Sequence, residues 1–238
     1  YMLTKLPVRI IEHITHQDFG NGMPMLSWIT LGLNEREGTT PGWWTGIPLR
    51  TFHETHGNYA QQSQVAKEFI RERVQHFAQD PDDAVHFFSE KLASEWAEPT
   101  FMTSLYSQYG SSAHGFTGLP QWILSGTGAA RLTSYENIAQ TALYAFALAG
   151  VIAMLISGVR SAARPMEDAT IFARTFLCAA FLGGFLCYLF WEAKGIYTLP
   201  FYLLLFPLAA YGVQIIKRDS RFMRYTHSRS SSALLDDA

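Results

Sequence analysis

The polarity of this chain changes character near residue 135. Before that point charged side chains recur every few positions. After it they gather into short clusters separated by three unbroken apolar runs, at 138–159, 175–191 and 195–216. An α-helix needs roughly 20 such residues to cross a 30 Å hydrocarbon core. A segment in lipid must satisfy its own backbone hydrogen bonds, so the runs predict helices and not strands. The expected spans are 138–159, 170–191 and 196–216, the second extended over 169–173 with Arg174 reaching toward headgroups.

The first 135 residues carry a different periodicity. Residues 61–79 place Val65, Phe69, Ile70, Val74 and Phe77 at helical spacing, a stripe that predicts an amphipathic helix. Asp80-Pro81 stops it, and a second helix can begin at once. Over 82–97 two carboxylates sit in the first turn, where they favour the helix dipole. Val85, Phe88, Leu92 and Trp96 form its expected apolar stripe, and Pro99 ends it. Together the two read as an antiparallel helical hairpin, 61–97, lying near the membrane surface. The Gly/Pro/Ser-rich stretches 35–46 and 109–120 read as loops.

The fold class expected is therefore an all-α membrane protein: an extracytoplasmic helical and loop segment, 1–135, then three transmembrane helices within 136–217. A polar tail, 218–238, reads as disordered. Composition agrees with this division. Only 16% of residues are charged, against roughly a quarter in a soluble domain. The aromatic share of 14% argues against a disordered chain. A net charge of −2 gives no basic excess for nucleic acid. Two cysteines exclude a disulfide scaffold; Cys178 and Cys187 also fall on opposite faces of one span.

Charge placement predicts orientation. The connection after the first span holds Arg160, Arg164 and Arg174, and the tail holds Lys217, Arg218, Arg221, Arg224 and Arg229, whereas the turn after the second span offers only Lys194. By the positive-inside rule the connection and the tail face the cytoplasm, and the turn and residues 1–135 face outward. Trp191 and Tyr197 bracket the turn as interfacial anchors. The chain opens on Tyr1 with no signal core. An outward 135-residue segment needs translocation, so the chain is expected to be the C-terminal part of a longer polytopic protein whose N-terminal transmembrane part is missing. Within the spans, Gly150, Gly183 and Gly184 permit close helix approach. Pro200 is expected in the first turn of its span, where it costs little, and Pro207 should kink the middle.

Candidate chemistry is sparse. His13 and His16, and His53 and His56, share a three-residue spacing, but no third metal ligand is identifiable, so they read as surface histidines and no metal is assigned. No phosphate-binding glycine loop or nucleophile elbow is present, and no cofactor is identified. Trp43 and Trp44 could stack on a sugar, dip into headgroups or pack within the outer segment. Glu192 and Lys194, with Tyr197, sit at the outer end of two spans. Lys194 could engage a lipid-linked phosphate as a point charge and Glu192 a sugar hydroxyl, or the turn could be a plain solvated connection.

The succession "PMLSWITLGLNE", "PGWWTG", "KLASEWAEPTF" and "WEAKGIYTLPFYLLLFPLAAYG", from about Met23 to Gly212, resembles bacterial polytopic glycosyltransferases of the GT-C fold, related to the protein O-mannosyltransferases and family 39. The resemblance implies a plasma-membrane enzyme that moves a sugar from a polyprenyl-phosphate carrier to an acceptor on the outer face, so the partners implied are membrane lipid and a lipid-linked sugar. It places the catalytic acidic residue in an upstream outer loop, so none is named here. The family's final outer turn often reads E-A-R-x-R-Y-x-x-P. Glu192, Ala193, Lys194, Tyr197 and Pro200 match in kind, and Ile196 stands where the second Arg is usual. The competing expectation is a non-catalytic membrane subunit for surface-glycan transport or assembly, with Trp43 and Trp44 binding glycan.

Overall fold

The structure, a computed structural model, describes residues 2–16, 20–160 and 168–218. Among the described residues every regular element is a helix. In order these are α1 (Met2–Thr15), α2 (Leu26–Gly32), α3 (Ile47–Glu54), α4 (Tyr59–Gln79), α5 (Pro81–Trp96), α6 (Thr103–His114), α7 (Leu119–Ser125), α8 (Thr127–Arg160), α9 (Asp168–Phe190) and α10 (Gly195–Leu203). An eleventh, α11, covers Leu205–Arg218. Two compact units divide the chain: residues 1–92 with 188–193, and residues 93–187 with 194–238.

In the first unit, α4 starts where the Asn58 side chain accepts a hydrogen bond from Gln61 N at 3.0 Å. That bond satisfies one of the free amides of the first turn. Asp80 caps α5 in the same way, accepting from Asp83 N at 3.0 Å, with Pro81 at the first helical position. The two helices do not pack side by side as a hairpin. A one-residue link is shorter than antiparallel neighbours ordinarily need. They meet at the corner, where Phe77 lies 5.2 Å from Phe87 and 5.5 Å from Phe88, and α4 packs along its length on α2 and α3.

The buried faces match the expected stripes only in part: Trp96 is buried as expected, but the valines are not. Val65, Val74 and Val85 are exposed, whereas Gln62 and Ala66 are buried on α4, and Phe87 and Lys91 on α5. The reason is the partner. The short helix α2 presents backbone carbonyls at its C-terminal end, which polar side chains satisfy better than valines. Arg73 from α4 donates to Leu33 O at 3.1 Å and pairs with Glu35 at 3.4 Å, its guanidinium 4.4 Å from the Phe77 ring.

In the second unit, α8 and α9 are long and apolar enough to cross a membrane over Thr127–Ile156 and Phe172–Phe190. The pair α10 and α11, bent by 49°, makes a third span if it crosses as one. The bend falls one turn before Pro207. A proline lacks the amide for the carbonyl four residues earlier and clashes with it, which breaks the helix there. Pro200 lies inside α10, at its sixth residue and beyond the first turn.

Ala147, Leu205, Leu208 and Ala209 form the core of this unit. A Cβ on Gly150 would strike Leu208 O, and one on Gly212 would strike Phe146 O, so α8 and α11 cross backbone to backbone. Gly184 lies against the Phe201 ring; Gly183 has nothing within 4 Å and takes no part. The stretch 109–120 is mostly helical, not a loop: it spans the end of α6 and the start of α7, and only 115–118 is irregular. Gly115 and Gly118, at φ +64° and +66°, make that turn, so serines and alanines on either side remain helical. Arg164, Arg221, Arg224 and Arg229, with the rest of 219–238, lie outside the described residues.

Candidate functional site

Parts of the four sequence segments quoted above meet in the first unit: α2, the 41–46 loop, Lys91 and the turn at 191–193. Their meeting point is the backbone of the turn at 191–193. Helix α2, from "LSWITLG", ends with Gly32 so close to this turn that a Cβ there would sit 2.5 Å from the Trp191 carbonyl carbon and overlap the Phe190 and Trp191 oxygens. The glycine is required by close approach, since its φ is ordinary. From "PGWWTG", Gly42 accepts from Ala193 N at 2.8 Å and donates to Asn34 O at 2.8 Å. It has φ +77°, and a Cβ on it would lie 3.0 Å from Gly32 O and 3.2 Å from both Ala193 Cβ and Lys91 Cε. Pro41 beside it is fully buried.

Lys91, from "KLASEW", closes the arrangement. Its side chain is fully buried, and Nζ donates to Gly32 O at 2.6 Å and to Trp191 O at 2.7 Å. Both carbonyls belong to helix C-termini, where backbone acceptors lack partners and the dipole is negative. One ammonium thus neutralises two helix ends and ties them together. The next residue of the turn, Glu192, is 5% exposed and Ala193 is fully buried. Glu192 is therefore held inside the unit, which removes the plain solvated connection as a description of it.

The tryptophans assemble beside this point. Trp28 of α2 stacks on Trp191 at 6.3 Å and 13° and meets Trp44 at 6.3 Å and 39°. Trp44 is 45% exposed, so one end of the three-ring row is accessible. Trp43 is half-buried. Of the expected pair, then, Trp44 offers a face to a ligand and Trp43 packs more deeply.

Lys194 and Tyr197 belong to the second unit. Lys194 occupies the N-cap of α10 in extended conformation, accepts from Tyr197 N through its carbonyl at 3.0 Å, and holds Nζ 5.9 Å from the Tyr197 ring centroid. A lysine at a helix N-terminus adds positive charge to a positive dipole end. The Glu98 carboxylate lies close to this end, where a Cβ on Gly195 would meet its Oε2 at 3.2 Å. Ile196 is exposed.

The four histidines His13, His16, His53 and His56 are exposed, as expected of surface residues. Among the described residues no three His, Cys, Asp or Glu side chains come together as metal ligands. Cys178 and Cys187 are unpaired. A groove of about 440 Å³ opens in the second unit beside Arg174, whose guanidinium lies 4.4 Å from the Tyr211 ring.

Lys91 is the principal residue that pattern reading misses. It lies inside a quoted segment, yet nothing in the spacing marks it as buried. The signal available is its register with Phe87 and Glu95, one face of α5 that carries more buried residues than the aliphatic face does. Compared with protein families, with curated proteins and with solved structures, the chain finds no match.

Proposed function

We propose that this chain is the C-terminal part of an integral membrane glycosyltransferase that takes a sugar from a polyprenyl-phosphate carrier and passes it to an acceptor on the outer face of the membrane. The observation that carries this reading is the convergence just described. Two of the segments singled out for their resemblance to such enzymes, with Lys91 of a third, pack on the turn that opens the fourth. A turn that served only to join two spans would need no buried lysine and no glycine-to-backbone contacts to fix it. Held this way, the turn leads directly into Lys194 at the start of α10. A lysine ammonium suits a lipid-linked phosphate as a point charge. The arginine-rich connection and tail would face the cytoplasm, so the turn and the residues before α8 would face outward.

The test is sugar release from polyprenyl-phosphate mannose and its glucose counterpart by the full-length protein reconstituted in vesicles. The reading expects turnover that falls at least tenfold in Lys194→Ala while the protein keeps its melting temperature. No release from either donor, or release unchanged in the variant, would overturn it.

The row Trp44–Trp28–Trp191 favours a second reading, a non-catalytic subunit that binds surface glycan through an exposed aromatic face. It expects glycan binding lost in Trp44→Ala, and no donor turnover.

A further inference from the structure

The groove beside Arg174 lies apart from the site described above. Beyond Arg174, α9 runs on for about 24 Å, at 1.5 Å per residue, before it ends at Phe190. The turn that leads into Lys194 follows that opposite end. Helices α8, α9 and α11 border the groove, whose volume of about 440 Å³ falls within the roughly 300–1,000 Å³ of ligand sites. On α11 it is lined by Pro207, Ala210, Tyr211 and Gln214, at i, i+3, i+4 and i+7. The neighbouring face of α11 carries Leu205, Ala209 and Gly212, which pack into the core and against α8. One face of the helix is thus used up by the bundle, and the face beside it is left to line a groove.

The polar groups gather at one end of the helices. Over Phe172–Phe190, α9 is long and apolar enough to cross a membrane, and Arg174 is the third residue of that stretch. An arginine at such depth is costly and marks a specific partner more often than chance. Its guanidinium lies 4.4 Å from the centroid of the Tyr211 ring. A ring face attracts the cation without discharging it. The Tyr211 hydroxyl and the Gln214 amide, both able to donate, line the same groove one helical turn apart. Lys217 and Arg218 continue the positive charge over the last turn of α11. Among the described residues no acidic side chain lines the groove.

The remaining lining is apolar, with Leu177 and Leu208 on facing helices, and the exposed Pro207 and Ala210 open the groove sideways onto the outer surface of the bundle. A soluble anion would meet the cations but leave the apolar walls to water. A hydrocarbon chain alone would suit the walls and none of the polar groups. A zwitterionic headgroup brings a cation of its own toward Arg174. A phosphodiester with one net negative charge on acyl chains suits both parts of the lining.

We propose that the groove between α9 and α11 binds an anionic phospholipid, its phosphate on Arg174 and an acyl chain along Leu177 and Pro207. The site needs these helices to lie in a membrane and is independent of sugar transfer. In the orientation given above, the lipid comes from the cytoplasmic leaflet.

Native mass spectrometry of the detergent-solubilised full-length protein tests this, by the dissociation constants for a first molecule of dioleoylphosphatidylglycerol and of dioleoylphosphatidylcholine. Arg174→Gln removes the charge and keeps a polar side chain. Ala210→Phe fills the groove from an exposed position and changes no charge. The expected result is phosphatidylglycerol bound about tenfold tighter than phosphatidylcholine, the effect of one charge-assisted hydrogen bond. That preference is lost in Arg174→Gln, and phosphatidylglycerol binds at least about threefold more weakly in Ala210→Phe. Equal binding of the two lipids, or phosphatidylglycerol binding unchanged in either variant, would overturn the proposal; if Arg174→Gln fails to fold, Ala210→Phe decides. Displacement of the lipid by an equal concentration of glycerol 3-phosphate would also overturn it, because the site would then take a soluble anion. Lys194→Ala is expected to keep the preference; its loss there would move the lipid to the turn and overturn the groove. A protein that shows the preference but releases no sugar fails the transfer reading alone.

Discussion

Replacing Lys91 by Met tests the tie that holds the candidate site together. The substitution keeps the length of the side chain and removes only its charge and donors. Two hydrogen bonds of 2.6 and 2.7 Å are lost from a fully buried position, leaving Gly32 O and Trp191 O without the ammonium. A hydrogen bond to a charged group contributes about 1.5–3 kcal/mol. Relief of the buried charge offsets part of the loss, since taking an ammonium out of water is itself unfavourable. The acceptors remain buried, however, and at two helix C-termini they gain nothing from a methionine. The net expectation is a destabilisation of about 3 kcal/mol. For a chain of this size that is a fall of roughly 6–12 °C in melting temperature. Thermal unfolding of the detergent-solubilised protein can be followed by tryptophan fluorescence, because Trp28 and Trp191 stack beside the lost bonds. A Lys91→Met protein that melts at or above the wild-type temperature would refute the reasoning.

Three further outcomes follow from the packing. Gly32→Ala drives a methyl into the Phe190 and Trp191 carbonyls and should cost about 1–3 kcal/mol in the same melting experiment, with a redistribution of tryptophan emission; an unchanged melt would show the turn can yield. Gly150→Val should separate α8 from α11, because its side chain meets the Leu208 backbone, and should lower the melting temperature; an unchanged melt would show that the crossing can yield. Gln62→Met should raise stability by about 1 kcal/mol, since both amide atoms of Gln62 are buried without a partner among the described residues; a loss of stability would mean the amide is paired.

The long apolar helices were legible in outline because lipid favours unbroken apolar runs, but their bounds were not: α8 begins at Thr127, ahead of the run at 138, and the third run is two helices bent by 49°. The start of α5 was equally plain, because Asp80-Pro81 is a local signal with a local cause. The faces of α4 and α5 were not. Valine spacing suggested Val65, Val74 and Val85 as buried, and all three are exposed. What decides those faces is the pair of helix ends that Lys91 reaches, 59 and 100 residues away in sequence. A periodicity argument sees neither. The same holds for the candidate site. Glu192 and Lys194 could be singled out as an odd pair of charges beside apolar runs, whereas the glycines and the lysine that fix the turn carry no mark of their role. Gly212 escaped notice for a like reason: its importance comes from a crossing with Gly150, and one half of such a crossing is invisible without the other.

The central claim is that Lys194, at the start of α10, receives a lipid-linked phosphate. Equilibrium binding of radiolabelled polyprenyl-phosphate mannose to the full-length protein in phosphatidylcholine nanodiscs tests it most directly. The account predicts saturable binding that weakens about tenfold in Lys194→Ala, as loss of one phosphate-directed cation would cause, and is unchanged in Lys67→Ala. Binding that does not saturate, or that is the same in both variants, would contradict it.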